Sequence, residues 1–229
     1  CIKRNGRREK QRKQWPPAMD EWTHYMHDAS NNAVSRDAVV GPPRSLQWEG
    51  APKWGRTHDP WSHHSPVSAM VSAGGRIFYI VDRGPRFSVA LPSDRYLVAR
   101  DAFNGVVLWK KPIPTWSNPV KRWQDLPSQV PRLLVATDDR VYAALPEGGN
   151  VRVVDARTGE TVDRLLKSTY TRGLRVAGDR VFAVTGRPAA EKPVIPTQKT
   201  DSFNPKVADG SSRRLQVYDA DSCRLLWTF

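Results

Sequence analysis

At 229 residues, with 39% apolar residues and a formal net charge of +13, the chain is long enough for one large or two ordinary domains and is strongly basic. Its two cysteines, Cys1 and Cys223, supply neither a metal quartet nor a disulfide framework, and no apolar run is long enough to span a bilayer. No recognition helix or base-stacking motif accompanies the charge, so no nucleic-acid partner is expected.

Residues 1–18 read as a basic, flexible tail. Lys3, Arg4, Arg7, Arg8, Lys10, Arg12 and Lys13 stand there against Glu9 alone, a composition that cannot bury a core. Such a tail is either a solvated extension or a contact for an anionic membrane surface or nucleic acid. Cys1 fits two origins, the acylated residue of a mature lipoprotein or an arbitrary start within a longer chain. From Trp22 the sequence becomes structured in character, and Leu46-Gln47-Trp48 reads as the closing outer strand of a first partial unit, 19–48.

Next comes the densest group of ligand-capable side chains, on a loop ahead of an inner strand at Val67 to Val71. Arg56, His58 and Asp59 are candidate cofactor contacts there, and His63 and His64 are candidate metal ligands through neutral imidazole. A solvated polar loop is the competing reading, since the spacing matches no metalloprotein signature.

Two phrases then alternate along the chain. Gly75-Arg76-Ile77-Phe78, Asp139-Arg140-Val141-Tyr142 and Asp179-Arg180-Val181-Phe182 each set a turn residue and an Arg before a β-branched and aromatic run, which favours a half-buried sheet surface. Downstream of each lies an Asp turn: Asp101 to Gly105, Asp155 to Gly159, and Asp219 to Cys223. Asp bonds its own backbone two residues on, and Gly accepts the left-handed conformation that a tight hairpin needs. Eight residues after the Asp stand Trp109, Asp163 and Trp227.

Each unit therefore reads as four antiparallel strands, the pattern of one propeller blade of about 40 to 45 residues. Blade units are expected at about 66–113, 127–167 and 174–229, two of them enlarged by insertions near 82–95 and 186–213. Strands are predicted at 76–81, 96–101, 106–110, 140–145, 151–155, 160–166, 180–185, 214–219 and 224–228. The fold class is all-β, a β-propeller of four-stranded blades. About half of a typical ring is expected to be present, with the remaining blades further along the same polypeptide.

The segment Ala99 to Trp109 resembles the pyrroloquinoline-quinone-type propeller repeat, Ala-x-Asp-x-x-Thr-Gly-x-x-x-Trp, with Asn104 at the Thr position. The spacing of Trp22, Tyr25, Asp28 and Asn31 is similar to the opening of quinoprotein dehydrogenases and of the propeller lipoprotein of outer-membrane assembly. The resemblance covers about Trp22 to Phe229. It implies that Asp101, Gly105, Trp109, Asp155, Gly159, Asp219 and Trp227 are blade-docking residues without a chemical role.

It further implies an exported, periplasmic or envelope location, and a quinone cofactor with calcium. Haem, NAD and nucleotide signatures do not occur in the sequence. Two function classes stay open at this point. One is a quinone-dependent alcohol or sugar dehydrogenase, or a descendant that keeps the ligand. The other is a non-catalytic scaffold with a small-molecule or protein partner at its channel face. Catalytic residues are unassigned.

Overall fold

The computed structural model describes residues 2–4, 7–9, 16–39, 41, 44–50, 66–85, 92–113, 130–145, 149–186 and 213–229. A short antiparallel hairpin, β1 (Ile2–Arg4) with β2 (Arg7–Glu9), lies within the basic N-terminal segment. Among the described residues, all other strands fall into three four-stranded sheets.

Blade one is β3 (Val67–Ala73), β4 (Arg76–Asp82), β5 (Arg95–Asp101) and β6 (Val107–Ile113). Blade two follows a 3-10 turn at Val130–Leu133 and comprises β7 (Leu134–Ala136), β8 (Arg140–Ala143), β9 (Arg152–Asp155) and β10 (Thr161–Arg164). Blade three is β11 (Thr171–Ala177), β12 (Arg180–Thr185), β13 (Arg214–Asp219) and β14 (Leu225–Thr228). Within each blade the strands pair antiparallel in chain order, which is the up-and-down meander of a propeller blade. Among the described residues no α-helix occurs.

The predicted strand positions agree closely with these elements, because both repeated phrases act locally. In each Asp turn the carboxylate caps the N–H groups that follow. Asp101 Oδ1 accepts from Phe103 and Asn104 at 2.9 and 3.0 Å, and Asp155 Oδ1 accepts from Arg157 and Thr158, both at 2.8 Å. Asp219 Oδ1 accepts from the Ser222 N–H at 2.9 Å and its hydroxyl at 2.8 Å. Donation by the Thr158 N–H holds the Asp155 carboxyl below its usual range, and the Ser222 N–H does the same for Asp219.

The next residue joins the two turns of a blade. The N–H groups of Ala102, Ala156 and Ala220 donate to the carbonyls of Gly75, Asp139 and Asp179 at 3.0, 2.8 and 2.9 Å. These Asp residues are turn formers, as their recurrence implies.

The sheets pack face to face and share two cores. Ala69, Val71, Phe78 and Leu97 of blade one meet Leu134, Val141 and Val154 of blade two, and Tyr142, Val151 and Val153 meet Leu174, Val176, Val181 and Tyr218 of blade three. Burial of this apolar surface is the main force holding one blade on the next.

One expected element is absent. Residues 44–50, read from sequence as a closing strand, form no strand, and 16–39 contain only an isolated bridge between His24 and His27. Trp48 nonetheless does what a tryptophan of an outer strand does. Its Nε1 donates to the Ala102 carbonyl at 3.2 Å, its ring lies against Gly105, and the Arg100 guanidinium sits 5.7 Å from the ring centroid. Van der Waals and hydrogen-bond contact with the neighbouring turn needs the indole in place and does not need the strand that usually carries it.

Trp109 repeats the contact one blade later. Its Nε1 donates to the Ala156 carbonyl at 3.1 Å, and its ring covers Gly159, where an added Cβ would stand 2.6 Å from a ring carbon. Gly159 also has φ +77°, so Gly159→Ala combines backbone strain with a clash and should cost about 2 kcal/mol or more. Gly178 is the control, at φ +56° with nothing within 4 Å of a Cβ, and Gly178→Ala should cost only about 1 kcal/mol. Urea denaturation of both variants checks the difference, and equal losses would remove the steric part of this account.

Candidate functional site

The segment 20–29 crosses the inner edges of all three blades, and its conformation comes from a tight local turn. The His24 N–H donates to the His27 carbonyl at 3.0 Å, with His27 at φ +74°. A polar knot stabilises the turn: Asp20 Oδ2 lies 2.6 Å from His27 Nε2 and accepts the Arg36 N–H at 2.6 Å, while Asp20 Oδ1 accepts from Glu21 N–H at 2.9 Å. Against a desolvation cost, those N–H donors and the His27 ring bring Asp20 down to about 2.

From this base, three consecutive residues offer acceptors to three successive inner strands. Trp22 O accepts from Ser72 N–H in β3 at 2.7 Å, Thr23 O from Ala136 N–H in β7 at 3.0 Å, and His24 Nε2 from Val176 N–H in β11 at 3.0 Å. Ser72, Ala136 and Val176 pair across their hairpins with Ile77, Val141 and Val181, so they occupy the same position in each repeat. Each inner strand would otherwise present an unpaired edge N–H at this point. Two side-chain contacts secure the lacing at its ends, from Gly74 N–H to Glu21 Oε1 at 2.6 Å and from Arg175 Nη1 to the Ala29 carbonyl at 2.8 Å.

His24 is held in one tautomer by these bonds. Because Nε2 accepts, the proton resides on Nδ1, which faces Thr23 Oγ1 at 2.7 Å. The residue is 7% exposed, and burial, followed by the positive charge of Arg175, lowers it to about 4. It is a neutral structural acceptor and is not poised as an acid or base at neutral pH.

Beside His24 opens a cavity of about 540 Å³, within the range of small-molecule sites. The lacing segment contributes Tyr25, Met26 and Asp28 to its wall, and Asn31 follows just beyond it. Leu174, Phe182, Val184 and Leu215 of blade three add apolar groups to the lining, along with the fully buried Leu134 of blade two. Four guanidinium residues complete it: Arg132 on the 3-10 turn, Arg172 and Arg175 on β11, and Arg213 at the entry to β13. Arg172 Nε donates to the Gly186 carbonyl at 3.4 Å, and Arg175 is tied to Ala29, so two of the four are oriented by backbone. Among the described residues Asp28 is the one carboxylate in the lining.

The predicted cofactor and metal contacts Arg56, His58, Asp59, His63 and His64 lie outside the described residues. Among the described residues no three His, Cys, Asp or Glu side chains gather as a metal site, and no helix is long and apolar enough to cross a membrane. The docking residues Trp109 and Gly159 meet each other, while Gly105 receives Trp48, a pairing that the repeat spacing did not reveal. Trp227 is 48% exposed on β14, with no receiving turn among the described residues. The Arg cavity was missed entirely, since its residues come from segments scattered between His24 and Leu215 and share no motif.

The seam between blades two and three departs from the Trp–Gly pattern in both partners together. Where Trp109 would recur stands Asp163, and where Gly159 would recur stands Cys223, a non-glycine residue at φ +56° that is 6% exposed. Burial and then the Asp163 carboxylate, which it contacts by a side-chain hydrogen bond, push the Cys223 thiol up to about 11. The Ala220 carbonyl, equivalent to the indole acceptors Ala102 and Ala156, receives Arg140 Nη1 and the Tyr142 hydroxyl instead, the latter at 3.3 Å. Tyr142 pairs with Val153, which pairs in turn with Asp163, so the aromatic group has moved inward by two strands.

No family model and no curated protein matches the sequence. The structure is similar to acylaminoacyl peptidase from Pyrococcus horikoshii (TM-score 0.46, 13% identity, 72% of this chain and 25% of that one). It is also similar to quinohemoprotein alcohol dehydrogenase from Comamonas testosteroni (0.42, 12% identity, 91% and 27%) and to the β-propeller domain of the trilobed protease from Pyrococcus furiosus (0.40, 14% identity, 71% and 42%). The chain spans about a quarter of the length of the first two. These likenesses are distant, and the propeller architecture stands on the chain's own strand order and blade packing.

Proposed function

We propose that this chain is a β-propeller binding module, non-catalytic in the part described, whose ligand site is the cavity between the lacing segment and the inner ends of blades two and three. The supporting observation is the cavity itself. Its volume suits a small molecule, its lining combines apolar and polar side chains, and its polar groups come from four separate segments. An exported, envelope-associated setting belongs to this proposal through the repeat resemblance alone.

Quinone chemistry is the second reading, and the Ala99-to-Trp109 repeat motivates it. The cavity residues do not suit the calcium that accompanies such a cofactor. Calcium takes six to eight oxygen ligands, and among the described residues Asp28 is the single carboxylate in a lining that also holds four arginines. A quinone with its calcium therefore belongs to a different location in this proposal, for which the loop of Arg56, His58 and Asp59 is the candidate.

Gly173 provides the test. It lines the cavity, and a Cβ there meets nothing within 4 Å, so Gly173→Trp should fill the space without disturbing the strand. Ligand-observed NMR of the full chain against a fragment library should give binders to the wild type that are lost in Gly173→Trp at unchanged melting temperature. Binders that persist in the variant, or none in the wild type, would refute the site. Calorimetric titration with pyrroloquinoline quinone, in calcium and in chelator, separates the second reading, because binding that survives Gly173→Trp assigns the quinone elsewhere.

A further inference from the structure

A sheet edge inside the cavity defines the chemistry of its occupant. We infer that the site takes a short peptide in extended conformation, whose main chain pairs with Leu174 on the inner edge of β11. The inference rests on the binding-module reading above and adds the ligand class to it.

The geometry of the edge is the first argument. Val176 sends its N–H out of the hairpin to His24 Nε2, so at this residue the backbone groups point away from β12. Backbone groups alternate sides along a strand, and Leu174 stands two residues earlier, opposite Ala183 as Val176 is opposite Val181. The Leu174 N–H and C=O therefore point to the same edge, and among the described residues no group takes either of them. Leu174 is buried and lines the cavity. A buried amide without a partner is costly, and a single residue of an extended chain satisfies the donor and the acceptor together.

The course of the lacing segment is the second argument. Blades one and two receive main-chain carbonyls, from Trp22 and Thr23, whereas blade three receives the His24 side chain. The His24 N–H turns back to the His27 carbonyl, so the main chain leaves the inner edges at blade three. Beyond Val176 the edge of β11 borders the cavity, and it offers there what the other two blades already give to an extended chain.

Gly173 supplies the third argument. A glycine within a strand lets a second backbone approach closely, and a Cβ at this position would meet nothing within 4 Å. Phe182, Val184 and Leu215 are half-buried in the same lining, together with Tyr25 and Met26. In recognition by strand addition the main chain supplies the pairing, and apolar surroundings of this kind receive the alternate side chains.

The test uses the full chain and a library of acetylated, amidated pentapeptides, screened by ligand-observed NMR, with amide exchange at Leu174 followed alongside. The best binder is then remade with one N-methyl group at each residue in turn, a change that leaves the protein itself untouched. Binding should slow Leu174 exchange about tenfold, and N-methylation of the residue opposite Leu174 should weaken binding about tenfold. Its two neighbours, whose N–H groups point away from the edge, should tolerate the methyl group better. Gly173→Trp should abolish binding at unchanged melting temperature. Peptides that are lost in Gly173→Trp but accept N-methylation everywhere and leave Leu174 exchange unchanged would overturn the ligand class and leave the site standing, as would a site that binds fragments and no peptide. Peptide binding that survives Gly173→Trp without protecting Leu174 would overturn the ligand class and the site together.

Discussion

Acidification from pH 7 to 4 should unlace the N-terminal segment from blade three before the blades themselves unfold. His24 accepts the Val176 N–H through an unprotonated Nε2, and a proton on that nitrogen removes the bond and places a second positive charge beside Arg175. The folded group titrates at about 4 against an ordinary histidine value of 6.5, so between these values the unfolded chain binds more protons. Its contribution is therefore complete above about pH 6.5 and is lost as pH falls toward 4, a change of roughly 3 kcal/mol.

Asp20 acts in a lower window. Its carboxyl is lowered from 3.8 to about 2, so its contribution is present above pH 4 and is lost only below it. Amide exchange at Val176 followed against pH should accelerate through the upper window in the wild type. In His24→Gln, where a side-chain oxygen can accept without titrating, it should stay flat. Superimposable pH profiles for the two proteins would show that His24 does not control the lacing.

Trp109→Ala should destabilise the fold by about 3 to 5 kcal/mol, the range for truncating a large buried aromatic. Trp109 is 9% exposed, packs 5.9 Å from Phe78 centroid to centroid, and leaves the Ala156 carbonyl without its indole donor when removed. A denaturant midpoint unchanged by the substitution would contradict the docking role.

The seam that lacks this tryptophan predicts the converse. Asp163→Trp alone should destabilise by about 1 to 3 kcal/mol, because Cys223 and Tyr142 already fill the space that Gly159 leaves for Trp109. Adding Cys223→Gly to it should recover part of the loss. A double variant that equals the sum of its parts would show that Asp163 and Cys223 are not a coupled replacement for the Trp–Gly pair.

Strand positions were legible in the sequence because their causes are local. An Asp that caps its own turn, a glycine with positive φ and a β-branched run each act within a few residues, so three copies reported the same blade. Trp109 could be assigned to docking for the same reason, through its constant offset from Asp101. The sequence also marked Trp22 to Asn31 as distinctive, although the reason was out of reach, since the Trp22, Thr23 and His24 acceptors gain meaning only when Ser72, Ala136 and Val176 are brought to one edge.

Tertiary structure alone decided the rest. Trp48 reaches Gly105 without an outer strand to carry it, and Asp163 matches Cys223 across 60 residues of chain, so neither pair leaves a periodic trace. The arginine cavity is the clearest case. Arg132, Arg172, Arg175 and Arg213 look like ordinary solvated charges in a basic sequence, and they come to line one cavity only because blade packing brings a turn, a strand and a strand entry together. Local chemistry writes the secondary structure, whereas electrostatic convergence depends on distances that only the packed blades set.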